Sequence, residues 1–238
     1  MDEVLVSEGK CLFCNQIFSQ KGMSRHLAKH LSDNELKDKE LQNKTKPYRH
    51  LQVYSGPYFL QLIIKETVAL TKLDSFLRYI WLECCGHMSA FTIKREEIEQ
   101  DLKIGKVFFP KLEVNYEYDF GDTTTLRIKA LNSYKLDMGN QDIVLLSRNE
   151  PLKIMCDKCG KYPAVNLCTA CNWEEPSFFC AKCSKKHEKE CDDFADYSAL
   201  PVVNSPRVGV CGYEGGEIDK ERDGVYKMKE SDYDISKL

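Results

Sequence analysis

The chain has 238 residues, of which 42% are hydrophobic and 30% charged, with a formal net charge of -3 at pH 7. Those proportions suit a globular protein with one sizeable core and small satellite modules, and they exclude an intrinsically disordered chain. The balanced charge gives no global attraction to nucleic acid or anionic lipid, and no apolar run reaches the roughly 18–20 residues that span a bilayer, so no membrane association is expected.

Twelve cysteines are the compositional outlier. The opening stretch MDEVLVSEGK has neither the basic n-region nor the apolar h-region of a secretory signal. A reducing, cytoplasmic compartment is therefore expected, where clustered thiols serve as metal ligands more often than as disulfides.

In chain order, the first module spans residues 1–46 and holds Cys11-x2-Cys14-x11-His26-x3-His30. Two thiolates and two imidazoles at this spacing are a tetrahedral zinc set, and Phe18 and Met23 sit where a two-Cys two-His finger carries its small core. The gap between the pairs is one residue short of the usual about twelve. If the finger read DNA, its base-reading positions would be Ser19, Gly22 and Arg25, and only Arg25 could make a strong bidentate contact to guanine. One finger covers about three base pairs, too few for useful specificity. Lys21, Arg25 and Lys29 are the candidate phosphate or base contacts, although three charges also make an ordinary solvated helix face. LSDNELKDKELQNKTKP follows, a charged helix extension fading into a linker that ends at Pro47.

Residues 48–150 can build a core. PYFLQLIIKETV is rich in β-branched and aromatic residues and predicts a strand. TKLDSFLRYIWLEC spaces Leu73, Phe76, Leu77, Ile80, Trp81 and Cys84 as one buried helix face, with Gly86 as its stop. LEVNYEYDF alternates Leu112, Val114, Tyr116, Tyr118 and Phe120, and TTTLRIKAL alternates Leu126, Ile128 and Ala130, which predicts an antiparallel hairpin turning near Gly121. The fold class expected is α+β: a small antiparallel sheet packed by helices, with two small zinc-stabilised modules.

Residues 151–193 hold Cys156, Cys159, Cys168, Cys171, Cys180, Cys183, His187 and Cys191. Three Cys-x2-Cys knuckles plus Cys and His make eight ligands, enough for two four-coordinate zinc ions with none left over. If SKKHEKEC is helical, His187 and Cys191 share a face, whereas Cys183 lies about 12 Å from Cys191 along the axis. The expected pairing is therefore cross-braced: Cys156, Cys159, Cys180 and Cys183 on one ion, Cys168, Cys171, His187 and Cys191 on the other. With the N-terminal set, three zinc ions are expected, all structural. The spacing resembles that of MYND and related cross-braced fingers, with a longer gap before the third knuckle and a shorter one to His187; the resemblance implies a protein-interaction module. Cys84, Cys85 and Cys211 have no such spacing and are expected to be buried packing residues, since neighbouring side chains on a helix diverge by about 100°. Residues 198–216 are apolar and then Gly/Pro-rich and are expected to rejoin the core domain, and 217–238 form a charged tail.

LDSFLRYIWLECCGHMSAFTI, NYEYDFGDTTTLRIK and LPVVNSPRVGVCGYEGG together resemble the plasmid pRiA4b open-reading-frame-three-like family, whose prokaryotic members travel with plasmids and transposons. Thr124 and Leu126 stand where that family carries Trp and His after FGD, which implies a divergent, finger-bearing branch. The expected function is that of a non-catalytic, zinc-binding interaction or adaptor protein with an unidentified protein partner, associated with mobile elements or nucleic-acid complexes. Direct nucleic-acid binding through the N-terminal finger is the second reading. A metal-dependent hydrolase at the acidic turn 117–122, using Asp119, Asp122 and His87 with Glu117 nearby, is the third. Against it, Asp commonly bonds turn amides, and no catalytic residue is assigned.

Overall fold

A computed structural model of the chain describes residues 7–34, 44–171 and 177–216. The expected linker at 35–43 and the charged tail at 217–238 lie outside the described residues. The described chain divides into two compact units, residues 7–77 with 88–150, and residues 78–87 with 151–216.

The first unit is a sheet. Its strands are β1 (Glu8–Cys11), β2 (Ile17–Ser19), β3 (Lys46–Ser55), β4 (Tyr58–Lys65), β5 (Ser89–Ile93), β6 (Glu96–Ile98), β7 (Glu113–Tyr118), β8 (Thr124–Leu136) and β9 (Ile143–Asn149). They run β2-β1-β9-β4-β3-β8-β7-β5-β6, antiparallel throughout. The helices are α1 (Gln20–Asp33), α2 (Leu70–Leu77) and a short α3 (Ile104–Val107). The architecture is α+β, and the sheet is large, with nine strands.

The middle of this sheet follows from a run that is apolar almost without a break. Strand β4, YFLQLIIK, is buried at every position but its last, as a strand covered on both faces must be. Gly56 takes φ +53 at the first position of the two-residue turn joining β3 to β4, a conformation that suits glycine. On one face, Met23, Leu27 and Leu31 of α1 pack in a common cluster with Tyr48, Phe59 and Ile63. Hairpin β7–β8 turns around Gly121 and buries Val114, Tyr116 and Tyr118 with Leu126, Ile128 and Ala130. Phe120 departs from the expected alternation and is 55% exposed. The strand stops at Tyr118 and Asp119 adopts φ +66, so the period of two ends one residue before Phe120.

The second unit carries a three-stranded sheet of β10 (Asn166–Cys168), β11 (Phe178–Phe179) and β12 (Ala199–Pro201), in the order β11-β10-β12. Helix α4 (Ala181–His187) and a π-helical turn at Phe194–Ser198 complete it. Residues 198–216, expected beside the large sheet, belong to this unit: β12 pairs with β10 through Leu167 and Leu200. The segment 78–87 also belongs here. The helix expected over 71–84 changes character within that stretch. Regular α2 ends at Leu77, and Arg78–Leu82 winds as a π-helix in which the Glu83 amide reaches back five residues to the Arg78 carbonyl, 2.9 Å. Trp81 is fully buried, and its carbonyl accepts from the Ser205 hydroxyl at 2.7 Å. No helix among the described residues is long and apolar enough to cross a membrane.

Candidate metal centres

The finger of the first unit is built by β1, β2 and α1. Cys11 closes β1, and the Asn15 amide returns to the Cys11 carbonyl at 2.8 Å, bending the chain so that Cys14 turns back beside Cys11. Asn15 supports that bend with φ +62. Helix α1 starts at an N-cap, Ser19, whose hydroxyl accepts from the Gly22 amide at 3.3 Å. It then presents His26 and His30 one turn apart. Their Nε2 atoms stand 3.1 Å apart, and Cys14 Sγ is 3.1 Å from His26 Nε2. Phe18 stacks on the His26 ring at 4.1 Å and Phe13 on that of His30 at 5.0 Å, so both imidazoles are held by apolar neighbours. Burial, then the charges of His30 and Lys29, pushes His26 below its usual value, which favours the neutral form that binds metal.

In the second unit, the first group is Cys156, Cys159, Cys180 and Cys183. Gly160 takes φ +61 and donates its amide to the Cys156 carbonyl at 2.8 Å, closing the first knuckle. Cys180 is the N-cap of α4 and Cys183 lies in the helix's first turn, so the second knuckle is a helix start. Cys159 and Cys180 sulfurs are 3.9 Å apart. The second group is Cys168, Cys171, His187 and Cys191. Cys168 ends β10, His187 ends α4, and the Cys191 amide bonds the His187 carbonyl at 2.8 Å, which continues the helical spacing for one more turn. The His187 ring is sandwiched by Phe179, stacked at 4.2 Å, and Phe194, edge-on at 4.9 Å. The chain thus alternates between the two groups, one knuckle to each in turn, with α4 contributing a ligand to both.

In each of these three groups, all four ligand atoms lie within 4.8 Å of one another. A tetrahedral ion with metal–sulfur bonds of about 2.3 Å separates its sulfurs by about 3.8 Å, which matches the spacing seen. Electrostatics gives the same answer. Burial opposes ionisation of Cys156, yet backbone amides at Cys180 and Cys159 outweigh it and bring the thiol down to about 7. Burial and the neighbouring thiols push Cys183 up to about 12, and Cys171 likewise. Without a cation, one thiolate forbids the next; a divalent ion makes all of them thiolates at once. All four groups of this kind found among the described residues consist of Cys and His alone.

The other candidates fare differently. Lys21, Arg25 and Lys29 are exposed on α1, but of the base-reading positions Ser19 spends its hydroxyl on the cap and Gly22 has no side chain. Asp119 Oδ1 accepts from the amides of Gly121 at 3.0 Å and Asp122 at 3.3 Å, the turn-closing role of an Asp rather than that of a free carboxylate. His87 lies with cysteines instead: Cys84, Cys85, His87 and Cys211 form the fourth group within 4.8 Å. Cys85 and Cys211, expected to be buried packing residues, are both exposed. The helical divergence of about 100° does not apply to Cys84 and Cys85, because both lie in a bend beyond the last helical turn. No spacing signal could have joined Cys211 to them.

No protein-family model matches the chain, and no curated protein matches it. Among solved structures, the chain is similar to the crystal structure of a protein of unknown function, MM3350 from Methanosarcina mazei Go1, at 15% identity and a TM-score of 0.37. That similarity covers 42% of this chain and 67% of the other, and carries no functional argument.

Proposed function

We propose that the protein is a non-catalytic, zinc-stabilised interaction protein, in which zinc ions at the N-terminal finger and at the two interleaved groups of the second unit hold binding surfaces in shape. The observation that carries this reading is ligand saturation. Each group supplies four Cys or His ligands, so a four-coordinate zinc there has no open position for a water or substrate. Among the described residues, the buried cluster around the second unit's two groups consists of cysteines with Phe179 and Phe194, so that part of the unit has few apolar side chains to hold it together without metal.

The partner proposed is a protein segment that packs on apolar side chains of the first knuckle. Met155, Tyr162 and Val165 are 39%, 59% and 44% exposed, and the bridge from Met155 to Pro163 sets Met155 beside the segment that carries the other two, leaving three apolar side chains open to a partner. Two measurements test the reading. Zinc content of protein purified without added metal should drop by one ion in each of Cys14→Ser, Cys159→Ser and Cys171→Ser; an unchanged content in all three would sink the ligand assignment. Proteins captured from the host by the wild type should be lost with Tyr162→Ala, whose zinc content stays unchanged. Equal capture by both would remove the proposed surface.

A further inference from the structure

We propose a fourth metal centre, a Cys3His site for zinc or a similarly thiophilic divalent cation, formed by Cys84, Cys85, His87 and Cys211. His87 Nε2 is 3.2 Å and Cys85 Sγ 3.7 Å from Cys211 Sγ. Those separations fall within the range of 3.1 to 3.9 Å found for Cys14–His26, Cys171–His187 and Cys159–Cys180 in the other groups. The number and type of donors are those of a closed tetrahedral site.

The backbone around the four residues is shaped to bring them together. The π-helical turn ends at Leu82, and Gly86, at φ +74, reverses the chain between Cys85 and His87. Two bonds pin the loop: the Gly86 amide donates to Glu83 Oε1 at 2.5 Å, and Arg78 Nη2 donates to the His87 carbonyl at 2.7 Å. On the other side, Cys211 itself takes φ +49, a left-handed conformation unusual for a residue with a side chain. Tight turns on either side support it, from Val210 to the Arg207 carbonyl and from Tyr213 to the Val210 carbonyl. Strained backbone of this kind concentrates where a side chain has to be aimed.

The charge also balances. Three thiolates and a neutral imidazole around a divalent ion leave one negative charge. Arg207, at 0% exposure, sets its Nη2 3.5 Å from Cys84 Sγ. A cationic donor at this distance favours the thiolate form of Cys84 and orients the ligand from behind. The centre clasps the segment ending at His87 to the turn holding Cys211, across 124 residues of sequence. Because Cys85 and Cys211 are exposed, this ion is the first to exchange with chelators.

The proposal extends the zinc reading above, and two measurements separate their fates. Full-length protein purified without added metal should contain one zinc more than the twelve ligands of the other groups account for, and Cys211→Ser and Cys85→Ser should each hold one ion fewer than the wild type. Loss at Cys159 and Cys171 variants with none at Cys211 and Cys85 would overturn the fourth site and leave the first three standing. The second measurement is alkylation of the native protein with iodoacetamide, read residue by residue by mass spectrometry. Cys85 and Cys211 should stay unmodified until a chelator is added and then react before any other thiol. Immediate modification of both in the metal-replete protein would overturn the proposal. A mass loss of a Cys85–Cys211 disulfide would overturn it equally.

Discussion

His50 is a histidine with no part in any of the metal groups, and its setting makes a prediction at the scale of one residue. It lies in β3 at 0% exposure, with its Nε2 2.8 Å from Gln61 Oε1. Gln61 in turn donates from Nε2 to Ser24 Oγ of α1 at 2.7 Å. The chain of donors leaves the Gln61 oxygen facing the ring, so His50 donates from Nε2. Burial lowers its pKa from 6.5 to about 4. The unfolded chain takes up a proton as pH falls below about 6.5, and the folded one only near 4, so stability drops as the pH falls through that window. The most this one group can remove is about 3 kcal/mol, at about 1.4 kcal/mol per unit. Urea midpoints measured between pH 7.5 and 4.5 should therefore fall less steeply in His50→Gln than in the wild type. Metal ligands titrate in both proteins and cancel in the comparison; parallel slopes would remove His50 from the account.

At the scale of elements, the finger is part of the large sheet and not an appendage to it. Strand β1 pairs with β9, Gly9 facing Asn149 and Cys11 facing Ser147, and the Leu12 amide bonds the Leu146 carbonyl at 3.0 Å. Gly9 is the point of closest approach: a Cβ there would lie 2.6 Å from the Phe59 ring and 2.7 Å from the Arg148 carbonyl oxygen. The ring tip can shift, but the carbonyl belongs to β9. Gly9→Val should thus cost about 1–3 kcal/mol through overpacking and speed hydrogen exchange at Leu12, while the nearby metal site keeps its ion. Unchanged exchange at Leu12 would show that β1 does not depend on this approach. Met23, Leu27 and Leu31 give α1 a sheet to pack on, and tertiary packing supplies most of a short helix's stability.

For the whole molecule, the two units should respond to metal removal in opposite ways. In the sheet unit, Val53, Leu60, Leu62 and Ile64 are fully buried and hold β3 and β4 together; among the described residues, the second unit's metal-centred cluster is mostly cysteine. A strong chelator should abolish amide protection at Cys168 and Ser184 while leaving Val53 and Ile63 protected, as read by hydrogen exchange. Loss of protection at all four together would show that the sheet also needs the metal. Coordination chemistry is why so much of the metal arrangement can be read from the sequence. A Cys-x2-Cys knuckle brings two sulfurs to one point wherever it occurs, and helical rise alone separates Cys183 from Cys191. The helix at α2 and hairpin β7–β8 were legible for the same reason, since a local period records a local face, and strand β4 was legible from its β-branched and aromatic composition. What the sequence left open depends on distant chain. The extent of the sheet rests on strands such as β9, IVLLSRN, buried at nearly every position and so without alternation to announce it. The grouping of Cys211 with Cys84, Cys85 and His87 rests on a π-helical turn, a glycine at φ +74 and a left-handed cysteine. Knuckle spacing and helical rise in the sequence determined the three groups whose ligands come in regular pairs; only the tertiary structure decided that Cys211 meets Cys84, Cys85 and His87, because that depends on how the backbone turns between them.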